Sequence, residues 1–361
     1  MKRTIGLIVW IAIISFFIVP DIGAFELNGF ADVSFTKCDN KDCHEENGRN
    51  GNTTLGTLDF YVSQEIQDVN ILMELVVEDG DAIDLERLIL GYDLNDNLRF
   101  QMGRFHTPLG FWNTSFHHGV QLQTTIKRPE FLLFEDDGGI LPVHTVGVNL
   151  SGKFSSPQLT TYYGLMAGSG PRITSEEGNI ILSPNNVSDN NMGKAVALSL
   201  AFSSPMIEGL KVGASGHIAR VQSDESAQIS GINVDVDQTI LGAALSYSPG
   251  NIDLMGEYFS IKDKDNIGSG KSNTSSAYYA LVSYTFAGKW IPYLLYENMS
   301  LKNGQGEDPY FLALGTKDVK KTTAGLRYNI NIRSSVKAEW RNVERGDANW
   351  NEYGFQWGLS F

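Results

Sequence analysis

Tyr353-Gly354-Phe355-Gln356-Trp357-Gly358-Leu359-Ser360-Phe361 closes the chain. Large apolar side chains take every second position, and Gly, Gln and Ser fill the places between. Alternation with period two marks a β-strand, and this strand has one wholly apolar face. In a soluble sheet that face would need a core to cover it, and a soluble protein rarely leaves such a strip at its last residue. Facing lipid, the strip needs no cover, and the polar face then looks onto water. About 9–11 residues, apolar outward and polar inward, are what a transmembrane strand requires.

The same pattern runs back through the chain. Leu27, Gly29, Ala31, Val33 and Phe35 oppose Glu26, Asn28, Asp32 and Ser34, and Leu58, Phe60 and Val62 alternate with Asp59, Tyr61 and Ser63. Further on, Val146, Val148 and Leu150 oppose Thr145, Asn149 and Ser151, and Val336, Ala338 and Trp340 oppose Lys337, Glu339 and Arg341. Short connections at 155–157, 205–209, 249–251 and 287–288 alternate with long polar ones at 170–192, 223–236, 263–275 and 302–319. A soluble β-sandwich shares the alternation of residues but not this alternation of connections. The expectation is an all-β fold: a transmembrane antiparallel β-barrel of about 16 strands, formed by residues 25–361 as a single domain.

Lys2 and Arg3 precede an apolar run from Ile5 to Val19, followed by Pro20, Asp21, Gly23 and Ala24. That order is a secretory signal peptide, expected to be residues 1–24; the run falls short of the ~20 residues of a membrane-spanning helix. With 28 Lys and Arg against 42 Asp and Glu, the formal net charge is −14. Such an acidic balance argues against a nucleic-acid partner, and it names no solute.

One stretch, Met102 to Pro142, breaks the regularity. It mixes both signs of charge with His, Phe, Trp and Leu, punctuated by Pro108, Pro129 and Pro142. Loops of this length are functional or disordered, and this one is too rich in large apolar residues for a disordered tail. It is expected to fold into the lumen as a constriction loop spanning about residues 106–142. Strand parity turns Arg87, Arg99, Lys211, Arg327, Lys337 and Arg341 inward, with Glu74, Glu257, Glu297 and Glu339; an Arg or Lys facing lipid at mid-bilayer costs about 2–4 kcal/mol. Arg104 breaks parity and is placed at the strand end. Lys127, Arg128 and Glu130 lie within the loop, whose Glu135, Asp136 and Asp137 are expected to face a basic wall including Arg87, Arg99 and Arg327. Opposed rows of charge are a means of ion selection.

The run Gly103-Arg104-Phe105-His106-Thr107-Pro108-Leu109-Gly110-Phe111-Trp112, with Phe134-Glu135-Asp136-Asp137-Gly138-Gly139-Ile140-Leu141-Pro142, resembles the porin superfamily that includes the phosphate-selective porins O and P. The resemblance implies a commonly trimeric, sixteen-stranded channel of the bacterial outer membrane, constricted by its third loop. Its partners would be outer-membrane lipid, the barrel-assembly machinery and small hydrophilic solutes or ions, which diffuse passively. Phosphate selectivity would need a dense lysine cluster, and the loop offers only Lys127 and Arg128. Tyr353, Phe355, Trp357, Leu359 and Phe361 resemble the assembly signal of outer-membrane barrels.

Cys38 and Cys43 are the only cysteines. Followed by His44, their Cys-x4-Cys-His spacing departs from the Cys-x2-Cys-His of haem attachment, and a disulfide in an oxidising compartment is expected. His106, His117, His118 and His144 read as hydrogen-bonded structural groups, with no metal and no cofactor expected. No spacing pairs a nucleophile with a base, so no enzymatic activity is expected. Two rival readings stand beside the channel: a sheath around a partner such as an electron-carrying cytochrome, and an outer-membrane hydrolase.

Overall fold

The computed structural model describes residues 26–361 apart from 41–42, 44–49, 79–81, 117–120, 136–137, 177, 184–192 and 302–307. The expected signal peptide and Asp136 and Asp137 therefore lie outside the described residues.

The chain begins with β1 (Glu26–Cys38), β2 (Asn52–Ile66), β3 (Val69–Glu78), β4 (Ala82–Asn95) and β5 (Leu98–His106). Beyond the long loop come β6 (His144–Ser155), β7 (Thr160–Ser169), β8 (Arg172–Glu176), β9 (Asn179–Ser183), β10 (Lys194–Ser203), β11 (Leu210–Ser223) and β12 (Asp235–Tyr247). The last six are β13 (Ile252–Asp265), β14 (Ser272–Tyr284), β15 (Trp290–Ser300), β16 (Val319–Asn331), β17 (Ser334–Arg345) and β18 (Ala348–Ser360). Each wall strand pairs antiparallel with its neighbours, and β1 pairs with β18 from Phe30–Ser360 to Cys38–Glu352, closing the sheet on itself. Closure leaves no unpaired edge in the hydrocarbon, where a free N–H or C=O costs several kcal/mol. Because β7 pairs directly with β10, the short β8–β9 hairpin stands outside the wall, which has sixteen strands.

Burial is inverted relative to a soluble protein. On β18, Tyr353, Phe355, Trp357 and Leu359 are 44–57% exposed, while Gly354, Gln356 and Gly358 between them are buried. The core lies in the lumen. Leu109, Trp112, Phe131, Leu132, Ile140 and Leu141 of the inward loop pack on Ile240, Phe259, Ile261, Tyr279 and Leu295 of the wall, under Ile173 and Leu182 of the hairpin and Phe311 of an outer loop. Trp112 meets Tyr279 edge-on at 5.4 Å, and Phe131 meets Phe259 at 5.8 Å. These contacts leave one side of the barrel dry and filled.

Among the described residues, three short α-helices sit in the loops: α1 (Trp112–Ser115), α2 (Glu225–Ile229) and α3 (Pro309–Leu314). The Asp224 side chain caps α2 by accepting from Ala227 N, and Asp308 caps α3 by accepting from Tyr310 N. Pro309 at the first turn of α3 lacks only an N–H that would have gone unpaired. At the outer end of β1, Cys38 and Cys43 form a disulfide, their Cα atoms 6.7 Å apart.

Candidate functional site

The described residues of the stretch 107–143 enter the lumen, and the site is built from what holds them there. An irregular segment leaves its backbone donors and acceptors without ladder partners, and each needs one once water is excluded. Inward-facing charges on the late strands supply them. Glu257 of β13 accepts from Phe111 N at 2.9 Å and Trp112 N at 2.7 Å, and is itself steadied by the Tyr279 hydroxyl at 2.7 Å. Glu297 of β15 accepts from Glu130 N at 2.6 Å. Glu339 of β17 accepts from Ile126 N at 2.6 Å and from the Tyr293 hydroxyl at 2.8 Å. The carbonyls are met from the same wall: Arg327 donates to Gln123 O at 2.8 Å, and Lys337 Nζ to Thr125 O at 3.0 Å. Alternate strands β13, β15 and β17 thus each present one carboxylate, spaced around the wall like fasteners along the loop.

At the middle of the loop sits an ionic knot. Glu130 bonds Lys321 Nζ at 3.1 Å and Arg345 Nη2 at 2.6 Å, and Lys321 also reaches Glu297 at 2.7 Å. Burial alone would raise the Glu130 carboxyl, but Lys321, Arg345 and Lys127 outweigh it and hold its pKa at about 2. A carboxyl held below its ordinary 4.5 stabilises the seated loop fully above that value and loses its contribution as pH falls through about 2. As the Glu130 carboxylate is protonated toward pH 2, single-channel conductance is accordingly expected to grow larger and noisier. Glu130→Gln should remove that acid response, and an identical acid profile in the variant would show that Glu130 is no anchor.

Of the loop's expected acids only Glu135 is among the described residues, and it does not pair with Arg87, Arg99 or Arg327. Glu135 is buried at the loop base, accepting from Val143 N at 2.6 Å, His144 N at 2.8 Å and the His144 ring at 3.0 Å. Arg87 is taken by Glu74, and Arg99 by Asp93, with Nη2–Oδ2 at 2.7 Å. Arg327 binds loop carbonyls instead of carboxylates. Glu135, nine residues before β6, meets the N–H groups at that strand's entry, while Arg87, Arg99 and Arg327 are engaged elsewhere. Arg104 also departs from expectation: it lies within β5, two residues before its end. Gly103 takes φ +140°, and a Cβ there would sit 1.9 Å from Leu88 O. Arg104 so placed bonds Leu85 O and meets Glu86, the extra residue of a bulge in β4. Glu86 in turn reaches the other nitrogen of the His144 ring at 2.9 Å, tying both ends of the loop together.

Arg341 and Lys337 face inward as parity required. Arg341 bonds Glu339 at 2.8 Å and Glu352 at 2.6 Å, and Lys127 of the loop lies 3.9 Å from Glu352. Sequence reasoning placed Glu257, Glu297 and Glu339 on the correct face but assigned them no task; Lys321, also inward by parity on β16, was missed.

What stays open is a gap on the other side of the barrel, between the loop and strands β1, β2, β17 and β18. It is a cavity of about 790 Å³ lined by Asp32, Ser34, Thr36, Thr57, Lys127, Arg128, Glu130, Phe134, Lys317, Arg345 and Gln356. Arg128 stacks over the Phe134 ring, 4.2 Å from its centre. Ile126, Leu133, Ile140, Met299, Leu314 and Val319 line the same cavity, so charged and apolar side chains share it.

The comparisons agree. No curated protein sequence matches the chain. Among solved structures, it is similar to in-vitro folded OmpT, an outer membrane protein of Vibrio cholerae (TM-score 0.63, 14% identity, covering 94% of this chain and 100% of that one). It also resembles an anion-selective porin from Comamonas acidovorans (TM-score 0.60, 15% identity, 93% and 98% covered) and OmpF of Salmonella typhi (TM-score 0.59, 14% identity, 93% and 97% covered). At these identities the likeness is one of fold. The sequence profile of the Gram-negative porins, by contrast, matches residues 24–356, nearly the whole chain. Barrel, inward loop and profile coincide, and the chain belongs to the Gram-negative porin family: a channel of the bacterial outer membrane for passive diffusion of small hydrophilic solutes.

Proposed function

We propose that this porin favours small anions. The observation that carries the reading is the lining of the open gap. Lys127, Arg128, Lys317 and Arg345 border it, against Asp32 and Glu130 among the described residues; Arg345 and Lys321 together offset Glu130 and Glu297, so Lys127, Arg128 and Lys317 outnumber Asp32. Charged rims of one sign raise the local concentration of the opposite ion. The fold shared with an anion-selective porin supports the same sign. The overall net charge of −14 does not oppose it, because selectivity is set at the narrowest point. Planar-bilayer recordings across a KCl gradient are expected to give a reversal potential of the sign for chloride preference, moved toward potassium by Lys127→Glu with Lys317→Glu. A potassium preference in the unaltered protein would overturn the reading.

We further infer a homotrimer, supported by the trimer form of the Vibrio cholerae protein of the same fold; openings in groups of three in the same recordings are its signature. A sheath around a partner protein finds no support, since the inward loop and its apolar cluster occupy the space such a partner would need.

A further inference from the structure

Across the lumen from the gap, at the outer end of the wall, Asp263 of β13 and Gln238 of β12 are cross-strand partners on the inward face. Asp308, from the loop before α3, comes down on them so that the two carboxyl groups meet. All three side chains are buried, at 1%, 2% and 0% exposure. Neighbouring acids are fully engaged. Asp235 accepts from Arg220, Gln222 and Asn266, and Asp265 from Ile267, Gly268 and Ser269. The trio differs. Asp308 Oδ1 caps α3 through Tyr310 N at 3.1 Å, but Asp308 Oδ2, both oxygens of Asp263 and both polar atoms of Gln238 have no hydrogen-bond partner among the described residues. None of the ion pairs among those residues involves Asp263 or Asp308. Two buried carboxylates in contact, with no basic side chain, must be neutralised by something else.

We propose that Asp263, Asp308 and Gln238 form a binding site for a divalent cation, with calcium as the best fit. A single shared proton would join one oxygen of each carboxyl group, with the Gln238 amide beside Asp263, and would still leave one negative charge buried with no basic side chain beside it. A hard cation takes all four oxygens, and its two charges match the two carboxylates. Calcium accepts irregular sets of carboxylate and amide oxygens, completed by water. No group of three or more His, Cys, Asp or Glu side chains with metal-binding geometry occurs among the described residues; here an amide oxygen stands in the third place. The site joins the β12–β13 wall to the α3 loop. Through the Tyr310 hydroxyl, which donates to Ile140 O at 2.7 Å, it also bears on the inward loop.

The test is calorimetric titration of the EDTA-treated, fully folded barrel with CaCl2. One saturable site per chain is expected, with affinity reduced at least tenfold by Asp263→Asn and by Asp308→Ser, the latter retaining a side-chain cap for α3. Asp265→Asn, altering a carboxylate already satisfied two residues away, should bind as the unaltered protein does. Absence of saturable binding would overturn the proposal, as would binding that survives both Asp263→Asn and Asp308→Ser. A rise in thermal midpoint for Asp263→Asn in EDTA, without calcium binding by the unaltered chain, would identify a proton-sharing pair instead.

Discussion

Deleting residues 112–134 is expected to raise single-channel conductance severalfold while the barrel still inserts and closes. The deletion takes Trp112, Phe131 and Leu132 out of the lumenal cluster and frees Glu257, Glu297 and Glu339 from the backbone they hold. In a sealed core, truncating one such aromatic costs about 3–5 kcal/mol, and stripping a buried carboxylate of its donors is similarly severe. Here the vacated space connects to water, which rehydrates the carboxylates and offsets much of the loss. The wall depends on none of these contacts, because its ladder runs unbroken through the β1–β18 seam. Thermal unfolding should begin at a lower temperature, and heat-modifiable mobility on gels should persist. An unchanged conductance would place the loop outside the conduction path; failure to form any barrel would make the loop a structural requirement of the wall.

Replacing Phe361 with Asp, or removing it, is expected to reduce membrane-inserted barrel by at least an order of magnitude while leaving export unaffected. Phe361 completes the seam: its N–H donates to Gly29 O and its C=O accepts from Gly29 N, both at 3.0 Å. Its ring lies against Phe60, centres 5.7 Å apart, and so near Gly29 that a Cβ there would come within 2.6 Å of it. An aspartate puts a charge into the lipid-facing strip of Tyr353, Phe355, Trp357 and Leu359, which we propose is the signal read during insertion. Gly29→Val separates the two roles, crowding the ring at the seam while leaving the C-terminal strip intact. Normal amounts of heat-modifiable barrel from the Phe361 variants would sink the idea.

The wall was legible because lipid imposes a strict rule on every second residue, and breaking that rule is expensive. Tyr353 through Phe361 follow it without exception, and Leu27 through Phe35 break it only at the inward, buried Phe30, so both faces and the closing strand could be read directly. The β8–β9 hairpin was read as loop, because five-residue strands give too few repeats for a period to show, although Gly178, with φ +88°, lies where a turn is needed. Asp308-Pro309 carried the signal of a helix start, hidden within a polar connection. The constriction was legible in its location and in its apolar flanks, not in its pairings. Glu135 and Arg327 have the charges to meet, but an irregular loop satisfies its own backbone first, and backbone needs leave no mark in the side-chain sequence. Lumenal charge was therefore read as a field across the pore when much of it solvates the loop.

The placement of those fasteners also sets an order of assembly. Phe111 and Trp112 are bound by a residue about 145 positions downstream, Glu130 by one 167 downstream and Ile126 by one 213 downstream. Contacts this distant in sequence form late. The loop emerges early in the chain, yet it has nowhere to dock until β13, β15 and β17 are in place. Docking of the loop therefore requires β13, β15 and β17, and until they are present Trp112, Phe131 and Leu132 lack the wall residues that cover them. Constriction in this molecule is a final act of folding, and a barrel that conducts narrowly is one that has finished.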